Sequence, residues 1–122
     1  MPSHRLPPLR RIRRRDEFQH VFDHGRRVHG RYFTLVAAPN GGPSDRLGIV
    51  ASRKIGGAVT RNRAKRLIRE MFRRYTDSSS HPRSSRADIV VIPRAGMTEV
   101  AFDELVKDFE GSLGRIARSS IS

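Results

Sequence analysis

The chain has no cysteine and no tryptophan, and it contains no long apolar run. Without cysteine there is neither a disulfide framework nor a thiolate metal site. A helix that crosses a bilayer needs about 20 predominantly apolar residues, so the sequence predicts no membrane span. The amino-terminal segment is basic but lacks the apolar core of a secretory signal. We therefore expect a soluble, cytoplasmic protein with no membrane partner.

Acidic residues are scarce relative to basic ones. The chain has 12 Asp and Glu against 25 Lys and Arg, which gives a formal net charge of +13. Only Lys54, Lys65 and Lys107 are lysines, so arginine dominates, and its planar fork suits phosphate oxygens and stacks on bases. A surplus of this size exceeds what solubility requires and indicates a polyanionic partner.

A length of 122 residues fits one compact domain. Composition divides the chain into a flexible Arg-rich arm at 1–15, a single α+β domain at 16–118 and a tail at 119–122. A polar, serine-rich stretch at 76–87 is expected to be a mobile loop within the domain.

Hydrophobic patterns predict helices and strands in the order α-β-β-α-β-α. The first helix follows Asp16, and two strands at 31–38 and 46–52 are expected to form a hairpin-like pair. The apolar run at 88–93 is typical of a central strand. A last helix is predicted from an N-cap at Thr98, with an apolar face formed by Phe102, Leu105, Val106, Phe109, Leu113 and Ile116. The fold class is therefore α+β, with a small mixed sheet packed against helices.

The segment Ala58–Arg74 combines an apolar stripe with a dense basic surface. At 100° per residue, a core-facing stripe contains Ala64, Leu67, Ile68, Met71, Phe72 and Tyr75. Arg61, Lys65, Arg69 and Arg73 form an i, i+4 ridge beside it, with Asn62 and Arg66 in neighbouring positions. Between positions 53 and 74, Glu70 is the only acid among nine basic residues, and it can pair with Arg66 or Arg74. The remaining positive charge predicts an external anion, and the repeated spacing suits a phosphodiester backbone.

Three stretches resemble the bacterial ribonuclease P protein subunit family. "SRKIGGAVTRNRAKRLIRE" at 52–70 is similar to the family signature, whose Arg-Asn-Arg core is here Arg61, Asn62 and Arg63. "DEFQHVFDHG" at 16–25 and "DIVVIPR" at 88–94 extend the resemblance over most of the chain. The resemblance implies a fold like that of the second domain of ribosomal protein S5, with a left-handed crossover.

The resemblance also implies a function. Such a protein joins a catalytic RNA, and the complex removes the 5′ leader of precursor tRNA by hydrolysing one phosphodiester bond. The implied partners are the catalytic RNA and precursor tRNA, with no obligate protein partner. The implied cofactor is Mg²⁺ held by the RNA and the substrate, so the protein is expected to carry neither catalytic groups nor a metal site.

The same resemblance assigns roles to particular residues. The implied RNA-binding residues are Arg53, Lys54, Arg61, Asn62, Arg63, Lys65, Arg66 and Arg69, and the charged ridge adds Arg73 as a further RNA-binding candidate. The implied leader cleft lies between the first helix and the sheet and contains Phe18, Phe22, Lys54 and Val36. Val36 stands where relatives often have an aromatic residue. Taken alone, two phenylalanines at i, i+4 on a short helix favour a core position.

Other functions are compatible with parts of the sequence. An autonomous nuclease would use His20, His24 and His29 as general bases, or would bind a metal through His20, Asp23 and His24. The charge equally suits a ribosomal-type or nucleoid-type nucleic-acid-binding protein. A polybasic arm is also compatible with a membrane surface, although no apolar face or lipidation motif accompanies it.

Overall fold

The computed structural model of the chain describes residues 10–42, 44–77 and 86–119. Within these ranges it contains three α-helices and one four-stranded sheet. The helices are α1 (Arg15–His24), α2 (Ala58–Asp77) and α3 (Phe102–Ser119), and the strands are β1 (Arg26–His29), β2 (Phe33–Pro39), β3 (Arg46–Ile49) and β4 (Ala87–Pro93). The predicted α+β class is confirmed, and β1 is an additional strand. β1 has a single apolar residue, Val28, so it is too short and too polar to show a strand pattern.

The strand β4 lies inside the sheet, whose order is β1-β2-β4-β3. It pairs antiparallel with β2 and parallel with β3, which confirms the prediction of a central strand. The predicted hairpin between β2 and β3 is wrong, because β4 lies between them. Parallel neighbours need a crossover connection, and α2 provides the one that joins β3 to β4.

Strand alternation divides the apolar side chains between the two faces of the sheet. One face packs against α2 and α3 in the main core, whose members include Phe33, Leu35, Ile89, Val91, Phe72 and Phe109. The opposite face packs against α1 in a smaller cluster formed by Ile12, Val21, Val36, Ala38 and Val90. The helices α2 and α1 therefore lie on opposite sides of one sheet.

The segment before α1 closes the outer edge of β3. Arg11 forms a parallel bridge with Leu47, and the backbone N–H of Ile12 donates to the carbonyl oxygen of Leu47 at 2.9 Å. Ile12 is 5% exposed, because its side chain joins the cluster under α1. The prediction of a flexible arm at 1–15 is therefore corrected for residues 10–12 and for Arg15, which begins α1. Residues 1–9 of the predicted arm lie outside the described residues.

The boundaries of α2 and α3 differ from the predicted ones. The helix α2 continues through Asp77 and β4 begins at Ala87, so the serine-rich loop is shorter at both ends than predicted, and residues 78–85 lie outside the described part. Thr98 is not an N-cap of α3, because it lies in a 3-10 turn, Met97–Glu99, and the chain is extended at Val100. Residue 119 belongs to α3 rather than to the predicted tail, and 120–122 are not among the described residues.

The predicted apolar face of α3 is confirmed. Leu105, Phe109, Leu113 and Ile116 are buried, and Phe102 and Val106 are half-buried against the same core. None of the described helices combines the length and the apolar character that crossing a membrane requires.

Arg46 joins β3, β4 and α1. Its Nε and Nη2 donate to the two carboxylate oxygens of Asp88 at 2.8 and 2.6 Å, and its Nη1 donates to Glu17 of α1 at 2.9 Å. Asp88 has a side chain that is 6% exposed, and it also accepts a hydrogen bond from Asn40 at 2.8 Å. The buried carboxylate is therefore paired, and the same guanidinium holds the first turn of α1 against the sheet.

Replacement of Arg46 should destabilise the whole domain. In Arg46→Met, Asp88 stays buried without its cation, so we expect a loss of about 3 kcal/mol in the free energy of unfolding, near the lower bound for breaking a buried pair. Urea unfolding measures it. Arg14→Met is the matched control, because it removes an ion pair with Asp16 whose side chains are 76% and 70% exposed, and it should leave stability unchanged. Equal stability of the two variants would contradict the structural role of Arg46.

Glu17 should make stability depend on pH in the acid range. Hydrogen bonds from Arg46 and from the backbone N–H groups of Arg14 and Arg13 lower the pKa of Glu17 from 4.5 to about 2. A lowered pKa stabilises the fold fully above pH 4.5, and this contribution disappears as the pH falls from 4.5 towards 2. The difference in unfolding free energy between the unmodified protein and Glu17→Gln should be constant at neutral pH and shrink over that interval. A difference that grows on acidification would contradict the assignment.

Candidate nucleic-acid interface

The helix α2 places its apolar stripe in the core, as predicted. Ala64, Ile68 and Phe72 are each 0% exposed, and Met71 and Tyr75 are 1% and 6% exposed. Only Leu67 of the predicted stripe is half-buried. Each large side chain contributes about 1.5 to 3 kcal/mol when fully buried, which is enough to offset repulsion of a few tenths of a kcal/mol between successive like charges.

The basic residues of α2 occupy two zones. The ridge formed by Arg61, Lys65, Arg69 and Arg73 is half-buried along the margin of the core, whereas Asn62, Arg63 and Arg66 are exposed. At 100° per residue, Arg63 lies roughly 200° around the helix from Arg61. The two arginines of the Arg-Asn-Arg core therefore point to different surfaces, and the helix alone does not bring them to one contact.

Most of this positive charge forms no ion pair with a carboxylate of the described residues. Glu70 pairs with Arg73 at 3.5 Å and with Arg74 at 3.8 Å. The predicted pairing with Arg74 is therefore present, and that with Arg66 is not. Among the described residues, no carboxylate forms an ion pair with Arg53, Lys54, Arg61, Arg63, Lys65 or Arg66. The surface therefore has unneutralised charge available for an external anion.

The connection between β3 and α2 adds two exposed cations to this surface. The hydroxyl of Ser52 accepts from the backbone N–H of Lys54 at 3.3 Å, which begins a short 3-10 turn. Ile55 anchors the turn in the core, and Gly56 turns the chain with a φ of 137°, a conformation that strongly favours glycine. Arg53 and Lys54 are exposed. We call the following residues the basic surface: Arg53, Lys54, Arg61, Asn62, Arg63, Lys65, Arg66, Arg69 and Arg73.

The predicted aromatic pair of α1 lies against the opposite face of the sheet. Phe18 and Phe22 are half-buried beside the small apolar cluster. A Cβ atom at Gly48 of β3 would lie 2.7 Å from the ring of Phe18, so glycine is needed there for the ring to pack this closely. Val36 is 1% exposed and belongs to the core beneath α1, so its side chain is not accessible to a ligand. Both rings therefore have a structural role and also retain accessible surface.

The additional strand β1 contributes polar residues to this face of the sheet. The register pairs Arg27 with Val36 and His29 with Thr34, which places both side chains on the α1 side. The guanidinium of Arg27 lies 5.9 Å from the centre of the Phe22 ring. Sequence reasoning did not identify Arg27, and the only available signal was the short "RRVH" pattern around one valine.

Beyond α1 the same face is less covered. Thr34 of β2 pairs across the sheet with Ile92 of β4, and the side chain of Ile92 is only half-buried. The hydroxyl of Thr34 lies 3.2 Å from Nδ1 of His29 and accepts from Arg94 at 3.4 Å. We call this region the α1 groove, and its accessible walls are formed by Phe18, Phe22, Arg27, His29 and Arg94. It combines aromatic rings with cations, a composition that suits single-stranded nucleic acid.

The three histidines of the alternative nuclease hypothesis are divided between α1 and the sheet. His20 and His24 stack on α1 with ring centres 4.5 Å apart, whereas His29 bonds with Thr34 on the sheet. Asp23 accepts a hydrogen bond from Gln19 at 2.8 Å. In the described part of the chain, no three residues of the His, Cys, Asp and Glu types come together as metal ligands. The hypothesis of a cluster of His20, Asp23 and His24 is therefore wrong.

Comparisons with known proteins identify the family to which the chain is similar. The family model described as Ribonuclease P matches residues 6–117. The ribonuclease P protein component of Desulfotalea psychrophila is 40% identical over 113 residues, covering 93% of this chain and 90% of that protein. The component of Thermotoga maritima is 42% identical over 89 residues, covering 73% of each. The solved RNase P protein of Thermotoga maritima has a TM-score of 0.71 and 37% identity over 88% of this chain and 96% of that one. The RNase P protein of Staphylococcus aureus has a TM-score of 0.72 and 31% identity, covering 86% and 93%.

Proposed function

Because the chain belongs to the family of bacterial ribonuclease P protein components, we propose that it binds the catalytic RNA through the basic surface and the 5′ leader of precursor tRNA in the α1 groove. As a member of that family it is a subunit of ribonuclease P and associates with the RNA of that enzyme, which matures the 5′ ends of tRNA. A ribosomal-type or nucleoid-type role is not favoured by these relationships.

The positive charge of α2 that no described carboxylate neutralises supports the assignment of the RNA-binding surface. Successive ridge residues are about 6 Å apart along the helix axis, which is similar to the spacing of phosphates along a nucleic-acid strand. The ridge is half-buried at the margin of the core, where the effective dielectric is lower than in water. A phosphate therefore interacts more strongly with Arg61 or Lys65 than with a fully solvated cation.

The α1 groove supports the assignment of the leader site. Stacking of a base on an aromatic ring contributes roughly 1 to 3 kcal/mol and tolerates any base. Phe18 and Phe22 provide the rings, and Arg27 places a guanidinium over the edge of the same site. Lys54, which belongs to the basic surface and to the predicted leader cleft, is exposed just after the carboxyl end of β3. A leader of varied sequence suits such a site, because stacking and backbone contacts do not read base identity.

The catalytic Mg²⁺ is assigned to the RNA subunit and the substrate. Magnesium prefers carboxylate, phosphate and water oxygens in an octahedral set, and the basic surface offers guanidinium and ammonium groups instead. The contribution of the protein is therefore to hold the two RNAs together, and its cations reduce the repulsion between their phosphates. Transcripts that carry tRNA leaders are cytoplasmic in bacteria, and we place the protein there.

Charge reversal on the basic surface should weaken assembly with the catalytic RNA. Arg61→Glu and Arg66→Glu should each lower the affinity about tenfold and reduce the slope of log K against log salt by about one, since a phosphate contact is lost. Filter binding or fluorescence titration at several salt concentrations measures both quantities.

The matched control is Lys107→Glu, which makes the same charge change on an exposed residue of α3. It should change affinity by less than twofold, because α3 carries no part of the basic surface. If Lys107→Glu and Arg61→Glu weaken binding equally, the effect comes from net charge and the assignment of the surface is wrong.

Removal of one aromatic ring of the α1 groove should affect leader binding selectively. Phe18→Leu and Phe22→Leu retain an apolar side chain, so each should lower affinity for leader-bearing precursor tRNA about tenfold while affinity for leaderless tRNA stays unchanged. Titration of the reconstituted complex with each RNA gives the ratio of the affinity for leader-bearing precursor to the affinity for leaderless tRNA. Val21→Ala is the control for packing, because Val21 is fully buried on the same helix and should not alter that ratio. Equal losses for the two RNAs would assign both rings to the core alone.

A further inference from the structure

We propose that Arg10 and Arg11 extend the basic surface across the edge of the sheet and bind a phosphate of the catalytic RNA together with Lys65. This inference rests on the proposed function and adds a second chain segment to its RNA-binding site. The bound group is a backbone phosphate, and the segment involved precedes α1.

Arg10 lies on α2 rather than in solvent. Its guanidinium carbon is 5.2 Å from the centre of the Phe72 ring. Phe72 follows Arg69 by three positions, so these two residues are neighbours on the helix surface, and Lys65 lies on the same face about two turns earlier. A cation stacked on Phe72 therefore adjoins the ridge of the basic surface.

The guanidinium groups of this segment are partly desolvated and lack an anion. The Nε atoms of Arg10 and Arg11 are buried, and neither has a hydrogen-bond partner among the described residues. Nor does either side chain form an ion pair with a described carboxylate. A cation that has already lost part of its hydration gains more from an incoming phosphate than one that must first be desolvated.

The backbone holds both arginines in place. The bridge between Arg11 and Leu47, the hydrogen bond from Ile12 and the burial of the Ile12 side chain anchor the segment at Arg11 and directly after it. Less conformational entropy is lost on binding when the contacting groups are already ordered. RNA binding and the pairing of this segment with β3 are therefore coupled. RNA that bridges Arg10 and α2 should strengthen that pairing.

The experiment compares Arg10→Met and Arg11→Met with Arg13→Met in affinity for the catalytic RNA over a range of salt concentrations. Methionine removes the charge and keeps an apolar cover over Phe72, so Arg10→Met should fold normally, as thermal unfolding checks. Arg13 is exposed on the same segment and serves as the matched control. We expect each of the first two variants to lose about five- to tenfold in affinity and about 0.7 to 0.9 in salt slope. Arg13→Met should stay within twofold of the unmodified protein, and Arg10→Lys should restore most of the affinity.

Two further measurements test whether one phosphate is shared. The combined loss in Arg10→Met/Lys65→Met should be smaller than the product of the single losses, because both residues contact the same group. Hydrogen exchange at the amide of Ile12 should slow when RNA binds, and this protection should be lost in Arg10→Met. Fully multiplicative losses together with unchanged exchange would overturn the shared site.

The outcomes separate this inference from the proposed function. If Arg61→Glu weakens RNA binding and Arg10→Met and Arg11→Met do not, the extension across the sheet edge is wrong and the basic surface of α2 stands. Equal losses in Arg13→Met and Arg10→Met would likewise overturn it, since net charge would then explain both. If the unmodified protein does not bind the catalytic RNA, the proposed function itself fails.

Discussion

The pairing of Arg46 with Asp88 and Glu17 determines how α1 sits on the sheet. The carboxylate of Asp88 is buried, and burying it without a cation would cost free energy. The guanidinium of Arg46 neutralises this carboxylate and also bonds to Glu17 in the first turn of α1. The helix is thereby held by its amino terminus, while Val21 packs in the apolar cluster beneath it. Phe18 and Phe22, which form part of the α1 groove, lie on the helix that this attachment holds against the sheet.

The sheet separates two kinds of recognition. On one face, α2 buries an apolar stripe and presents a row of like charges at the core margin. On the other face, α1 leaves part of the sheet accessible to a flexible strand. In a chain of 122 residues, the same helices and strands serve both folding and binding. Phe18 packs on Gly48 while offering ring surface, and Arg10 covers Phe72 without forming an ion pair to any carboxylate among the described residues.

The fold tolerates charge repulsion along α2 because burial of the apolar side chains of this helix contributes more free energy than the repulsion costs. Like-charge contacts on a helix cost a few tenths of a kcal/mol each, whereas each large side chain buried below contributes more than 1 kcal/mol. Glu70 forms ion pairs with Arg73, at the end of the ridge, and with Arg74 beside it. The free energy that the fold gives up at Arg61 and Lys65 is recovered when an anion binds there, which links stability to association.

Local patterns in the sequence were sufficient for α2, for the interior strand β4 and for the apolar face of α3, because 3.6-residue periodicity and continuous apolar runs depend only on neighbours along the chain. The Arg-Asn-Arg motif likewise identified the family from sequence alone. Which strands pair, and which segment closes the edge of β3, depended on contacts between distant residues. The sequence therefore did not reveal that β4 separates β2 from β3, that Arg26–His29 forms a strand, or that residues 10–12 pack against the sheet. Those features are stabilised by Arg46, by Ile12 and by backbone pairing, whose partners come together only when the whole chain is folded.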